Sequence, residues 1–219
     1  MARLRWGAEA PEDQESARTR LLDAAESCFQ RFGVAKTTVE DVANEARVSR
    51  ATVYRYFDGR DALVLGVLLR EAQRFLGKLQ RRIAGQPSFA KALIEGVVFT
   101  VDAVRSDTHL ALLFAPEAAG VTGSVVGASD ALFATTSEFL HPYFEAARDA
   151  GQLRPGLDLD DAAEWILRCI LSLLTVTSPR KRSRAAERRF VETFLLPALV
   201  AGQPGANGGP AAGDGSAPA

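Results

Sequence analysis

At 219 residues the chain can bury a core without disulfide or metal staples, and its 47% hydrophobic and 24% charged residues are those of an ordinary globular protein. A formal net charge of −1 excludes nucleic-acid binding through a global positive field, so any such role must rest on local residues. Cys28 and Cys169 lie far apart, lack a C-x-x-C partner and read as buried reduced thiols. No stretch has a signal peptide's basic start and apolar core, and no run reaches the roughly 18 apolar residues of a membrane span, so the expectation is a cytoplasmic protein without a membrane partner.

Taken in chain order, residues 1–15 carry mixed charge with little periodicity and read as a flexible arm. Arg3 and Arg5 in it are candidates to reach a DNA minor groove, a solvated tail being the alternative. Leu21, Ala25, Cys28, Phe29 and Phe32 then recur at helical spacing, and Gly33 is a C-terminal stop. Thr38 is an N-cap, with Glu40 and Asp41 in the first turn to match the helix dipole. Ser49 caps the next short helix, Asp58-Gly59 breaks it, and a long apolar helix runs from about Asp61 to Ile83. After Pro87-Ser88, helices are expected near 88–105, 107–114, 129–150, 159–177 and 184–200. The Gly- and Val-rich segment 116–127 is left unassigned. The tail 201–219, nearly all Gly, Pro, Ala and Asn, cannot bury enough apolar area to order itself. The fold class is therefore all-α: an N-terminal three-helix unit over 16–63, a larger helical unit over 64–200, and tails at 1–15 and 201–219.

Three short helices with a turn at Ala46-Arg47-Val48-Ser49 form the signature of a helix-turn-helix. The second helix of such a pair must be short, start cleanly and expose polar or small residues to enter the major groove. Val53 and Phe57, four apart, face inward with Val42, Ala43 and Ala46, and the outer side is expected to display Arg50, Ala51, Thr52, Tyr54, Arg55 and Tyr56. From Arg18 to Arg60 there are eight Lys/Arg and six Asp/Glu, a local charge of +2 that suits a few phosphate contacts.

The run from Thr37 to Phe57, with Ala24-Ala25, Phe29, Phe32-Gly33 upstream and Arg60-Asp61-Ala62-Leu63 downstream, resembles the TetR family of transcriptional regulators over about residues 18–63. Residues 88–200 resemble it only in being helical and of suitable length. The resemblance implies that Thr38 caps the second helix and touches a phosphate, and that Arg50, Ala51, Thr52 and Arg55 meet base edges. Arg bonds bidentately to guanine, and Ala or a Thr methyl contacts a thymine methyl. It further implies phosphate contacts from Tyr54, Tyr56 and Arg60, with Ser49 at the start of the recognition helix and Lys36 as an additional contact. Three departures stand out: Arg47 where the turn usually has Gly, Tyr56 where His is commoner, and Arg60 where Lys is commoner. Glu40 also lies where an acid disfavours approach to DNA.

The segment Trp165 to Val176 is apolar on nearly all sides, so a helix there needs cover on all sides, and a second subunit is the natural cover for one of them. Trp165, Ile166, Cys169, Ile170, Leu173, Phe190 and Phe194 are the candidate homodimer interface, a monomer core being the alternative. Two-fold symmetry would present two recognition helices to a palindromic operator. The resemblance also implies a small-molecule pocket, for which Phe99, Thr100, His109, Leu110, Phe114, Phe133 and Trp165 are candidate lining, joined by Phe139, His141 and Asp102. Few of these are polar, which favours a hydrophobic effector. The basic run Arg180-Lys181-Arg182-Ser183-Arg184 reads as a solvated turn, with a second nucleic-acid patch as its alternative. No Gly-rich phosphate loop, H-E-x-x-H or cysteine cluster is present, so neither an enzyme, a metal nor a cofactor is expected. The expected function is a homodimeric, DNA-binding regulator, in the first instance a repressor released by a hydrophobic ligand; the alternative is control by a protein partner or by no effector.

Overall fold

A computed structural model describes residues 13–115, 118, 120, 122, 124–125, 129–176, 178–180 and 182–202. Residues 1–12 of the expected 1–15 arm, most of the unassigned segment at 116–127, Lys181, residues 203–219 of the expected tail and the side chain of His109 lie outside the described residues, while Gln14 and Glu15, expected in the arm, are helical. Among the described residues the chain is helical, with α1 (Gln14–Phe32), α2 (Val39–Glu45), α3 (Arg50–Tyr56), α4 (Gly59–Ile83), α5 (Phe89–Ser106), α6 (Thr108–Leu113), α7 (Asp130–Asp149), α8 (Leu159–Thr175), α9 (Arg184–Phe194) and α10 (Leu196–Leu199). An antiparallel bridge, Leu153 to Val200, ties the α7–α8 connection to the end of α10.

Local chemistry sets these boundaries. Side chains of Asp13, Thr38, Ser49, Ser88, Ser129, Asp158 and Ser183 each accept a backbone N–H in the first turn that follows. Gly33 ends α1 at φ 82, a conformation costly for any residue with a Cβ. The helix expected over 184–200 is broken at Leu195, because Pro197 has no N–H to continue the ladder and fits only the first turn of a new helix.

The buried apolar residues form two clusters. One joins α1–α3 (Leu21, Phe29, Val42, Val53, Phe57) to Leu63, Val64, Val67 and Leu68 of α4, and to Val104, Leu110 and Leu113 of α5 and α6. This core runs past residue 63, so the N-terminal helices are packed onto α4 and α6 rather than closed on themselves. The other lies among α5, α7, α8 and α9 around Phe144, which is fully buried against Phe89. Ion pairs clamp α5 to its neighbours: Glu95 to Arg82 of α4 (2.6 Å) and to Arg188 of α9, Asp102 to Arg184 (2.7 Å), and Arg105 to Glu187 (3.0 Å). Burial alone would raise the Glu95 pKa, but hydrogen bonds from Arg188 and Arg82 outweigh it and hold the carboxyl below its ordinary value.

Part of the basic run is therefore engaged within the fold. Arg184 pairs with Asp102, and the Arg182 guanidinium sits 4.3 Å over the Phe190 ring.

Candidate nucleic-acid interface and cavity

Helix α2 begins with a reciprocal cap. Thr38 Oγ1 accepts from the Asp41 N–H (3.2 Å), and the Asp41 carboxylate accepts from the Thr38 N–H (2.9 Å) and hydroxyl (2.6 Å). Those bonds from Thr38, side chain first and backbone second, hold the Asp41 carboxyl below its usual pKa. The turn after α2 is a Schellman closure, with the Val48 N–H donating to Ala43 O (2.9 Å) around Arg47 at φ 56. Arg47 is the one non-glycine at positive φ among the described residues, as its place in the turn predicts. Arg20 Nη2 donates to the Ala46 carbonyl (3.0 Å), which fastens the turn to α1.

Helix α3 is held from below and displayed above. Val53 and the cap residue Phe57 are buried, Arg18 donates to the Tyr56 carbonyl (2.8 Å), and its guanidinium lies 4.5 Å over the Phe57 ring. Arg18 and Arg20, counted in sequence with the local positive charge, thus act inside the unit. On the outer side Arg50, Ala51, Tyr54 and Arg55 are exposed, along with Ser49, Lys36 and Thr38. Tyr54 is 49% exposed, a large aromatic left uncovered by its own fold.

Thr52 corrects the expected display. It is only 4% exposed, and its hydroxyl is 2.9 Å from that of Ser49, so it closes the helix start and cannot reach a base without leaving that position. Its place beside inward-facing Val53 explains this, since neighbours 100° apart on so short a helix share the buried edge. Tyr56 and Arg60 are half-buried; Arg60 donates to Ala35 O (3.0 Å) and contacts Asp61. Glu40 lies 3.7 Å from Arg50, with both side chains exposed, so the acid flagged from sequence faces a recognition-helix arginine.

The second feature is a cavity of about 180 Å³ walled by α4, α5, α6, α7 and α8. Of the lining expected from sequence it brings together Thr100, Leu110, Phe114 and Phe139. Phe99 is turned out of it and stacks on Phe75 at 5.5 Å, while Phe133 and Trp165 also lie off the lining. His141 bonds Asp160 (3.0 Å) and Asp102 pairs with Arg184, so neither serves as an anchor in the cavity. Sequence reasoning missed the wall supplied by Leu68, Phe75, Leu76 and Leu79 of α4, Tyr143 of α7, and Leu167, Leu171 and Leu174 of α8. The hydroxyls of Thr100, Thr135 and Thr136 donate to Gly96, Ala131 and Leu132 carbonyls of their own helices, so these three threonines offer the space no unsatisfied donor.

Of the candidate interface residues, Trp165 (45% exposed) and Phe194 (65%) stand out from α8 and α9, and the Phe190 ring packs on Phe194 at 4.9 Å. Cys169 and Leu173 are half-buried. Ile166, by contrast, is buried in the chain's own core and Ile170 lines the cavity; both fall on the inward stripe of α8. No helix among the described residues is long and apolar enough to cross a membrane.

Comparison with known proteins matches residues 21–67 to the model of bacterial regulatory proteins, tetR family. An uncharacterised HTH-type transcriptional regulator of Mycobacterium tuberculosis is 31% identical over 186 residues, covering 85% of this chain and 87% of the relative. Among solved structures, the transcriptional repressor QsdR of R. erythropolis superposes with a TM-score of 0.64 at 20% identity, over 84% of this chain and 96% of the other. SmeT of Stenotrophomonas maltophilia, solved as a complex with triclosan, gives a TM-score of 0.53 at 24% identity over 90% and 100%.

Proposed function

The chain belongs to the tetR family of bacterial regulatory proteins and is a transcriptional regulator, and from that premise we propose a homodimeric repressor that binds palindromic operator DNA and is released by a small uncharged lipophile. The observation that carries the DNA-reading part is the outer face of α3. Arg50, Ala51, Tyr54 and Arg55 project from a helix anchored by Val53 and Phe57 and capped by Ser49, a shape suited to the major groove. In this reading Arg50, Ala51 and Arg55 meet base edges, while Lys36, Thr38, Ser49, Tyr54, Tyr56 and Arg60 set register on phosphates. Residues 16–63 form the reading head and residues 64–200 the sensing and pairing body.

The pairing part is supported by Trp165 and Phe194, large apolar side chains left exposed on successive helices, with half-buried Cys169, Leu173 and Phe190 as the further candidates. Sedimentation of purified protein tests it: a dimer is expected, and Trp165→Arg should yield monomers. The effector part is supported by the apolar cavity. At about 180 Å³ it is near the roughly 150 Å³ of a dry apolar cavity that takes benzene, and below the roughly 300 Å³ at which drug-sized pockets begin. A small or narrow ligand suits it, and among the described residues no Lys, Arg or His lines it to receive an anion. Control by a protein partner would have been favoured by a body with no internal space.

Operator selection from random DNA, repeated with Arg55→Ala, tests the core of the proposal. One palindromic sequence should be enriched by the native chain, and the variant should enrich it poorly. No enrichment, or equal enrichment by both, would refute the assignment of α3.

A further inference from the structure

Helix α4 is shared between head and body, and its faces carry different contacts. At Gly66 a Cβ would come within 2.8 Å of Leu22 Cδ2 and 3.0 Å of Phe57 Cε1, so α1 and the end of α3 press against the α4 backbone. One turn further, Arg70 reaches across to α1. Its Nη1 donates to Asp23 Oδ1 (2.6 Å) and its Nη2 to Glu26 Oε2 (2.7 Å), with the arginine side chain only 13% exposed. The third arm of that guanidinium is unsatisfied: Nε is buried, has no hydrogen-bond partner among the described residues, and lies 3.9 Å from Glu71 Oε1. Glu71 itself lines the cavity, and the same Oε1 accepts a hydrogen bond from the exposed Arg74 (2.6 Å).

We propose that Arg70 is a positioning residue for the DNA-reading head, and that Glu71 is the cavity-side arm that sets it. Its regulatory half rests on the effector reading above. A guanidinium is a rigid planar fork with five donors, so it cannot turn one edge toward a new acceptor without turning the other edges as well. In the present arrangement two edges hold α1 and the third is idle. A molecule wedged between Leu68, Ala72 and Phe75 on α4 and the opposite wall displaces the adjacent Glu71. Closing its 3.9 Å gap to hydrogen-bonding distance gives Nε a partner and draws the fork off Asp23 or Glu26. That exchange gives α1 two discrete settings, biased by the cavity on one side and by DNA on the other, which is what coupling between separated sites requires.

The test uses the full chain and the operator from the selection above. Arg70→Met keeps length and removes the fork, and Asp23→Asn alters the exposed end of the same contact with little risk to folding. Each is expected to weaken operator binding in the absence of any ligand, about tenfold for Arg70→Met and about threefold for Asp23→Asn. Glu71→Gln alone and combined with Arg70→Met completes a cycle in which the two changes are expected to be non-additive by at least about threefold. Unchanged operator affinity in both Arg70→Met and Asp23→Asn, with native melting temperatures, overturns the positioning role; strict additivity overturns the link to Glu71. With 1-dodecanol as probe, the native chain should lose operator affinity, while Arg70→Met should bind the alcohol equally and lose less than about twofold. A variant that responds as fully as the native chain overturns the relay. Failure of the native chain to bind 1-dodecanol counts against the effector reading, and the positioning role is then decided by the ligand-free cycle.

Discussion

Helices α3 and α7 are both one-sided, but their functional sides are opposite. In α3 the inward pair Thr52 and Val53 fastens seven residues to the head, and the outward Arg50, Tyr54 and Arg55 are exposed toward whatever lies outside the molecule. In α7 the inward stripe of Leu132, Thr136, Phe139 and Tyr143 is itself the candidate site, and the outward residues are solvated. Recognition and stability are therefore separable in the head and entangled in the body. Substitutions on the outside of α3 should change binding at constant melting temperature, whereas those beneath the body helices should change both.

The largest expected effect tests the body side of that contrast. Phe144→Ala empties a fully buried ring position against Phe89 and should cost about 3–5 kcal/mol, a fall in melting temperature on the order of 10 °C. A shift of a degree or two by calorimetry would mean that the body repacks freely, and the contrast with the head would lose its basis.

Next in size is the charged clamp of the body. Glu95→Gln removes the charge that holds Arg82 and Arg188 and should destabilise by about 2 kcal/mol at neutral pH. The sign with pH follows from its lowered pKa. The contribution is fully present above the ordinary value of 4.5 and is lost as pH falls below it through the folded-state value. The native chain and the variant should thus converge in melting temperature under acid conditions. A constant gap down to pH 3 would mean that the carboxylate is not what clamps α4, α5 and α9.

Arg55→Ala is the matching experiment in the head. Loss of a bidentate base contact should cost about 1–3 kcal/mol of operator affinity, with the melting temperature unchanged within about 1 °C because the side chain is exposed. Loss of stability along with affinity would show that α3 is not separable in the way its burial pattern indicates.

How far each region could be read from sequence follows from the same contrast. The head is written in local signals: Gly33, the Thr38–Asp41 cap, Ser49 and the helical spacing of Val53 and Phe57 each act over three or four residues, and each boundary falls where those residues put it. Thr52 differs from expectation because its position next to Val53 puts it on the buried edge of the helix. The body needed a different signal, and it was present. The cavity side of α5 is the stripe Phe89, Leu93, Gly96, Val97, Thr100 and Val104, and that of α8 is Ile166, Leu167, Ile170, Leu171 and Leu174. Phe99, Phe133 and Trp165 lie one residue, a rotation of about 100°, from the lining positions Thr100, Leu132 and Ile166. Which stripe faces a cavity and which a neighbour depends on how five helices meet, and no single helix carries that information. The α4 wall was missed for this reason, since an apolar stripe on a long helix looks the same whether it meets side chains or empty space.

The smallest expected effect concerns Arg47, where the head departs from its own local logic. At φ 56 an L-residue is strained by about 1 kcal/mol, and Gly at this point of a Schellman turn removes the strain. Glycine also adds freedom to the unfolded chain, worth about 0.4–1 kcal/mol in the opposite sense. Arg47→Gly should therefore raise stability by no more than about half a kcal/mol, which chemical denaturation with several replicates can detect. Operator affinity decides what that near-neutral residue is for. The Arg47 side chain is exposed at the turn between the two DNA-facing helices, so a phosphate contact there predicts a fall in affinity and a shallower dependence on salt. If the glycine variant binds as tightly as the native chain at every salt concentration, the arginine contributes only strain, and the reading surface of the head ends at the cap of α3.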